Sequence, residues 1–207
     1  MQKQVGILIF ENIEVLDFCG PFEVLSVVRL DEKKRMQTNS PFDVKLIALT
    51  KEVVITKGGM KVIPDFDIHD CPPLDILIVP GGMGTRTLMY NEEILNFVRA
   101  KAKEVELLTS VCTGSLILAN AQLLDGVEAT THWKSLNRMK EEFPHVMVCM
   151  DKHFVEDGNV ISSAGISAGI DMALYILKRY FGEEVARSTA QHMEYPYLEV
   201  NQRKVVL

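Results

Sequence analysis

The chain has 207 residues, of which 47% are hydrophobic and 24% charged, and its formal net charge is −6. That composition fits a single compact domain over residues 1–207 with a substantial core. The densest basic run is Lys33-Lys34-Arg35, so a phosphate backbone is a poorly matched partner and direct nucleic-acid binding is not expected.

Cys19, Cys71, Cys112 and Cys149 are scattered and form no CxxC pair. This argues against a zinc site and a disulfide framework, and for a reducing cytoplasmic compartment. The first apolar run, Val5 to Phe10, stops at Glu11 and is shorter than a signal-peptide core. Leu107 to Leu124 has the length of a membrane span, but Thr109, Ser110, Thr113, Ser115, Asn120 and Gln122 interrupt it. A buried strand followed by a helix is the better reading, and no membrane partner is expected.

Taken in order, Gln4 to Phe10 is a short strand and a helix follows to about Leu30, with Pro21 in its first turn and Asp17 where an N-cap stands. Asp17 therefore has two readings. It is a cap, or it is a carboxyl at the end of the first strand, where open α/β sheets place their sites. Phe42 to Leu49 is a second strand, and Val53 to Ile63 reads as a hairpin around Lys57-Gly58-Gly59. Leu74 to Val79 is a buried strand ending in Pro80-Gly81-Gly82-Met83-Gly84. Glycines there make a tight turn, or let the Gly81 and Gly82 N–H groups face a ligand as an oxyanion or water site. Asn91 to Lys103 is helical.

The stretch Val105 to Leu124 breaks at Ser110-Val111-Cys112-Thr113-Gly114 and resumes with helical spacing. It has the form of a nucleophile elbow, whose strained turn demands small residues two before and two after the nucleophile; Ser110 and Gly114 meet that demand. Cys112 is then a nucleophile at a helix amino terminus, where a thiolate is favoured, or else a small buried hydrophobe. Beyond it come Thr130-Thr131-His132-Trp133, a helix from Lys134 to Phe143, and strands over Val146 to Met150 and Asn159 to Ser163. Small residues then lead through Asp171 into an apolar helix to about Tyr180, and a last helix covers Glu183 to Met193. His132 is the one histidine in a suggestive setting, with a structural role as its alternative; His69, His145 and His153 sit in polar connections. Strands alternating with helices give an α/β sandwich around a mainly parallel sheet, with Asp17, Gly81-Gly82 and Cys112 converging on one edge.

The segments VLDFCGPFEVL, ILIVPGGMGT, LTSVCTGSLILANAQLLDG, ATTHW and SSAGISAGIDMAL resemble the ThiJ/PfpI superfamily. The resemblance runs from about Val5 to Pro196 and implies a flavodoxin-like fold related to class I glutamine amidotransferase domains, with helices on both faces. Within the superfamily the chain is most similar to isocyanide hydratases and to the sensory domains of some AraC-type regulators. Many relatives carry a glutamate at the position of Asp17 and a histidine after the nucleophile; Asp17 and Thr113 here agree with the hydratase pattern. That pattern implies addition of water to a small isocyanide, giving an N-substituted formamide. Cys112 attacks, Asp17 protonates carbon and later activates water, and Gly82 and Thr113 hold charge or water. No metal or organic cofactor is needed, and relatives are commonly homodimers. The alternatives are a glyoxalase- or deglycase-like enzyme, with His132 assisting, and a non-catalytic ligand or redox sensor that would need a separate DNA-binding partner.

Overall fold

In the computed structural model, which describes residues 2–203, the chain opens with β1 (Lys3–Leu8), α1 (Val15–Val27) and β2 (Phe42–Ala48). Met1 and residues 204–207, part of the expected single domain, lie outside the described residues. A small hairpin, β3 (Val54–Ile55) and β4 (Lys61–Val62), precedes β5 (Phe66–Asp67) and β6 (Ile76–Val79). Then come α2 (Thr85–Leu88), α3 (Glu92–Ala102), β7 (Leu107–Val111) and α4 (Gly114–Asn120). The remainder is β8 (Glu128–Ala129), α5 (Leu136–Glu142), β9 (Met147–Val148), β10 (Phe154–Asp157), β11 (Val160–Ser163), α6 (Ala168–Phe181) and α7 (Glu183–His192).

Seven strands form one sheet in the order β10-β11-β7-β6-β1-β2-β5, and every pairing is parallel except β10 with β11. β6 and β7 are buried throughout, as apolar strands covered on both faces must be. From β1 the chain moves one way across the sheet to β2; from β6 it moves the other way to β7. Right-handed crossovers therefore place α1 and α3 on opposite faces. The packing agrees, since α1, α6 and α7 contact one another, whereas α2 and α3 pack on α4. This is the expected flavodoxin-like α/β arrangement. Its order reverses between β1 and β6, and the crevice at their carboxyl ends is the natural ligand position.

Several expected boundaries move for identifiable reasons. Helix α1 starts at Val15 and has no side-chain cap, so Asp17 sits inside its first turn and does not cap it. Pro21 lies within the helix, not in its first turn, and cannot donate to the Asp17 carbonyl four residues back. The helix ends at Val27, short of Leu30, because Val28 is already extended. Strand β10 pairs antiparallel with β11 across Gly158, at a φ of 60°. The two-residue loop Gly158-Asn159, with glycine at its first position, is the turn signal for that hairpin. Helix α6 begins at Ala168, which puts Asp171 in its buried first turn. His153 is likewise buried instead of lying in a polar connection. Its Nε2 is 2.7 Å from Asp171 Oδ2, to which the Tyr195 hydroxyl donates at 3.2 Å.

The elbow is as close-packed as its small residues imply, although the crowding comes from a different neighbour. A Cβ on Gly114 would lie 1.9 Å from the Val79 carbonyl oxygen and 2.7 Å from that of Pro80. The adjacent strand, more than Ser110, is what excludes a side chain. Gly114→Ala should therefore cost at least about 2 kcal/mol in urea unfolding, since backbone must move to admit the methyl. Wild-type stability in that variant would contradict the packing.

Candidate active site

Cys112 follows directly on β7 with a φ of 56°, a left-handed conformation that a non-glycine residue holds only when its surroundings fix it. Here they do. Its N–H is shared between the carbonyls of Ser163 and Ala164, each at 3.2 Å, and its own carbonyl accepts the hydroxyls of Ser115 at 3.1 Å and Thr131 at 2.9 Å. Both sides of the peptide are thus pinned by the end of β11 and the residue after it, by the segment before α5 and by α4. The side chain is only 6% exposed.

Asp17 reaches the same point from α1. It is fully buried, its Oδ2 accepts the Gly81 N–H at 3.0 Å, and its enclosed Oδ1 meets no protein donor in regular hydrogen-bond geometry among the described residues. Burial pushes the carboxyl up to about 7, outweighing the Gly81 N–H and the Cys112 side chain, which lower it. Burial, followed by the charge on Asp17, holds the Cys112 thiol well above its ordinary range, while the N–H and hydroxyl of Thr113 act the other way. The thiolate expected at a helix terminus is therefore corrected. The seven-residue α4 offers too little against desolvation beside a carboxylate. Thiol and carboxyl titrate as one pair.

The glycine turn after β6 closes over this pair. A Cβ on Gly81 would fall 2.5 Å from the Thr113 nitrogen and 2.9 Å from Asp17 Oδ2, so only glycine lets these groups meet. The Gly82 N–H, expected to face a ligand, is spent at 3.0 Å on Thr113 Oγ1. Thr85, which the sequence reading passed over, donates its hydroxyl to the Gly82 carbonyl at 2.7 Å and lies 3.0 Å from Thr113 Oγ1. Its signal was its place at the start of α2, straight after the glycines.

Above Cys112 lies a pocket of about 350 Å³, at the small end of ligand sites. His132 is on its wall with its ring against Gly165, where a Cβ would lie 2.1 Å from Cδ2. Its Nδ1 accepts the Lys134 N–H at 3.3 Å, and burial, then the charges of Lys134 and Arg203, lowers its pKa. Both effects favour the neutral ring. Among the described residues no group of three His, Cys, Asp or Glu side chains is placed to hold a metal, and no helix is long and apolar enough to cross a membrane.

A parallel α/β sandwich whose cysteine elbow faces a buried carboxyl across a glycine turn defines the class. Residues 3–179 match the DJ-1/PfpI family, and the chain belongs to it. It is 35% identical over 198 residues to the isonitrile hydratase of Pseudomonas putida, covering 94% of this chain and 79% of that one. It is 28% identical over 193 residues to the HTH-type transcriptional regulator GbdR of Pseudomonas aeruginosa, covering 93% of this chain and 51% of the regulator. The chain thus spans about half the length of that regulator. The crystal structure of a ThiJ/PfpI family protein from Pseudomonas syringae superposes with a TM-score of 0.82 at 27% identity, over 97% of this chain and 78% of that one.

The raised carboxyl has a consequence for stability. Because Asp17 titrates near 7 in the fold against an ordinary 3.8, the folded state holds the proton more tightly. The stabilisation from the neutral acid is complete below the ordinary value and lost as pH rises through 7. Asp17→Asn, neutral throughout, should gain on the order of 2–4 kcal/mol over the native protein at pH 8 and little at pH 4 in urea titrations. The same offset at both pH values would refute a buried, proton-holding carboxyl.

Proposed function

We propose that the protein hydrates isocyanides to N-substituted formamides, with Cys112 and Asp17 as its catalytic residues. The observation that carries this reading is a fully buried carboxyl, held by the Gly81 N–H at 3.0 Å, set beside the elbow thiol. The 35% identity to an isonitrile hydratase supports it. Above pH 7 the pair holds one proton. In the reaction that proton passes from sulfur to Asp17 Oδ1 as Sγ bonds to the terminal isocyanide carbon, and Asp17 then delivers it to that carbon, leaving a thioimidate. Water, deprotonated by Asp17, adds to the thioimidate carbon. Asp17 returns that proton to nitrogen, and as the tetrahedral adduct collapses the hydroxyl proton passes to sulfur, releasing the formamide and restoring the proton the pair gave to carbon.

Thr113 supports the first step, since its N–H and hydroxyl both favour negative sulfur. Gly82 acts through Thr113, its N–H fixing the hydroxyl's orientation, and Gly81 holds Asp17 Oδ2, so the proton resides on Oδ1. An aldehyde route of the glyoxalase kind needs a base to move a proton between adjacent carbons. His132 is poorly set for that: with Nδ1 engaged by the Lys134 N–H, its neutral ring carries hydrogen on Nε2 and offers a donor.

Formamide release from a small isocyanide, followed chromatographically beside lactate release from methylglyoxal, tests the reading, with Cys112→Ser as the blank. Formamide should accumulate and lactate should not; lactate alone would overturn the assignment. Loss of both activities in a protein whose Cys112 still alkylates would favour a sensor role, as in the regulator relatives.

The same assay has a defined pH profile. Because the reactive pair has lost the Asp17 proton, kcat/KM should rise with pH through about 7 and level off. Asp17→Asn should lose that limb and fall on the order of 10²-fold or more. A native profile flat between pH 5 and 9 would exclude this use of Asp17.

A further inference from the structure

We propose that the pocket over Cys112 selects a substrate bearing a negative charge: given the hydratase reading on which this rests, a small isocyanide with a carboxylate remote from its reacting carbon. Three cations line the pocket, Arg86, Lys134 and Arg138, against a single carboxylate, Glu14. This reverses the charge of the chain as a whole, which is −6. Arg138 is committed to Glu142, its Nε 2.9 Å from Oε1. Arg86 and Lys134 have no carboxylate within ion-pair reach among the described residues, and the Lys134 ammonium rests over the Trp133 ring, 5.1 Å from its centroid. They enter from separate segments, Arg86 on α2 and Lys134 in the short turn before α5.

The chemistry at Cys112 has no use for these cations. The side chains that shift the thiol are those of Asp17 and Thr113, so Arg86 and Lys134 do not serve to ionise it. An isocyanide group is uncharged, its adduct is neutralised by Asp17, and the formamide is neutral. Two unpaired cations on the wall of a 350 Å³ pocket therefore address another part of the ligand, with Met83 and Ile166 supplying apolar surface in the same lining. Both cations are solvent-facing, so salt screens them and the expected selectivity is severalfold.

The test reads ratios within each protein, so a general change in reactivity cancels. Cys112 is alkylated with iodoacetate and with iodoacetamide, and its modification is followed by peptide mapping. The iodoacetate-to-iodoacetamide rate ratio should be at least about 5-fold higher in the native protein than in Arg86→Gln/Lys134→Gln, and should shrink as salt is raised in the native protein alone. In parallel, 4-isocyanobenzoate is compared with its methyl ester. The acid should show the higher kcat/KM by a similar factor, and that preference should vanish in the double variant. A native alkylation ratio insensitive to salt and equal to that of the variant overturns the charged pocket. Equal hydration of acid and ester overturns the assignment of the charge to the substrate. If neither isocyanide is hydrated while the alkylation ratio behaves as expected, the hydratase reading fails and the anion selectivity stands.

Discussion

Asp17 is buried with one backbone N–H for support and no cation beside it. A carboxylate in that position costs several kcal/mol unless it takes a proton, so the fold holds it near neutral pH with the proton half bound. Everything at the site follows from that condition. The glycine turn must come close enough for the Gly81 N–H to reach Oδ2, which forbids a side chain there. Pro21 keeps α1 from donating to the Asp17 carbonyl, and the helix starts uncapped because Glu14, at its N-cap position, makes no side-chain cap bond.

The sheet order explains why these pieces meet. Strands β1, β6 and β7 are neighbours, and the chain leaves their carboxyl ends toward opposite faces. The first turn of α1, the loop before α2 and the elbow before α4 consequently converge on one crevice, with α1 on one face of the sheet and α2 and α4 packed together on the other. The isolated pairing of Ile13 with Gly82, and the Glu14 N–H donated to the Gly81 carbonyl at 3.0 Å, lock the first two loops together. The third is fixed by the carbonyls of Ser163 and Ala164. Cys112 keeps its left-handed backbone because Ser163, Ala164, Ser115 and Thr131 bind both sides of its peptide at once.

Periodicity and turn residues made the elbow, the parallel core and the convergence of Asp17, Gly81 and Cys112 legible, because β-type runs ended by small residues have few structural solutions. What stayed hidden depends on spacing at the scale of single bonds. An acid at the start of a helix looks like a cap until its rotamer is known, and the same residue type serves both uses. The Gly82 N–H looks available until the Thr113 hydroxyl is found on it. Strand β10 has four residues and too little alternation to announce itself, and with it went the buried His153 and its partner Asp171. The cations of the pocket are invisible in a chain of net charge −6, since their grouping exists only in three dimensions.

That grouping also explains why the cations stand on the wall and not beside the reacting atoms. An arginine in contact with Asp17 would lower its pKa by about 1–3 units, leaving it ionised at neutral pH and a poor acid toward carbon. The same arginine would stabilise a resting thiolate, exposing the site to oxidation and alkylation. Keeping the pair free of cations preserves a proton that moves between sulfur and oxygen at little cost. Positive charge at the mouth can then attract an anionic ligand without disturbing that proton, because solvent screens the rim from the buried pair. The two demands, a neutral interior for proton transfer and positive charge for recognition, are met by burying Asp17 and leaving Arg86 and Lys134 exposed on the pocket wall.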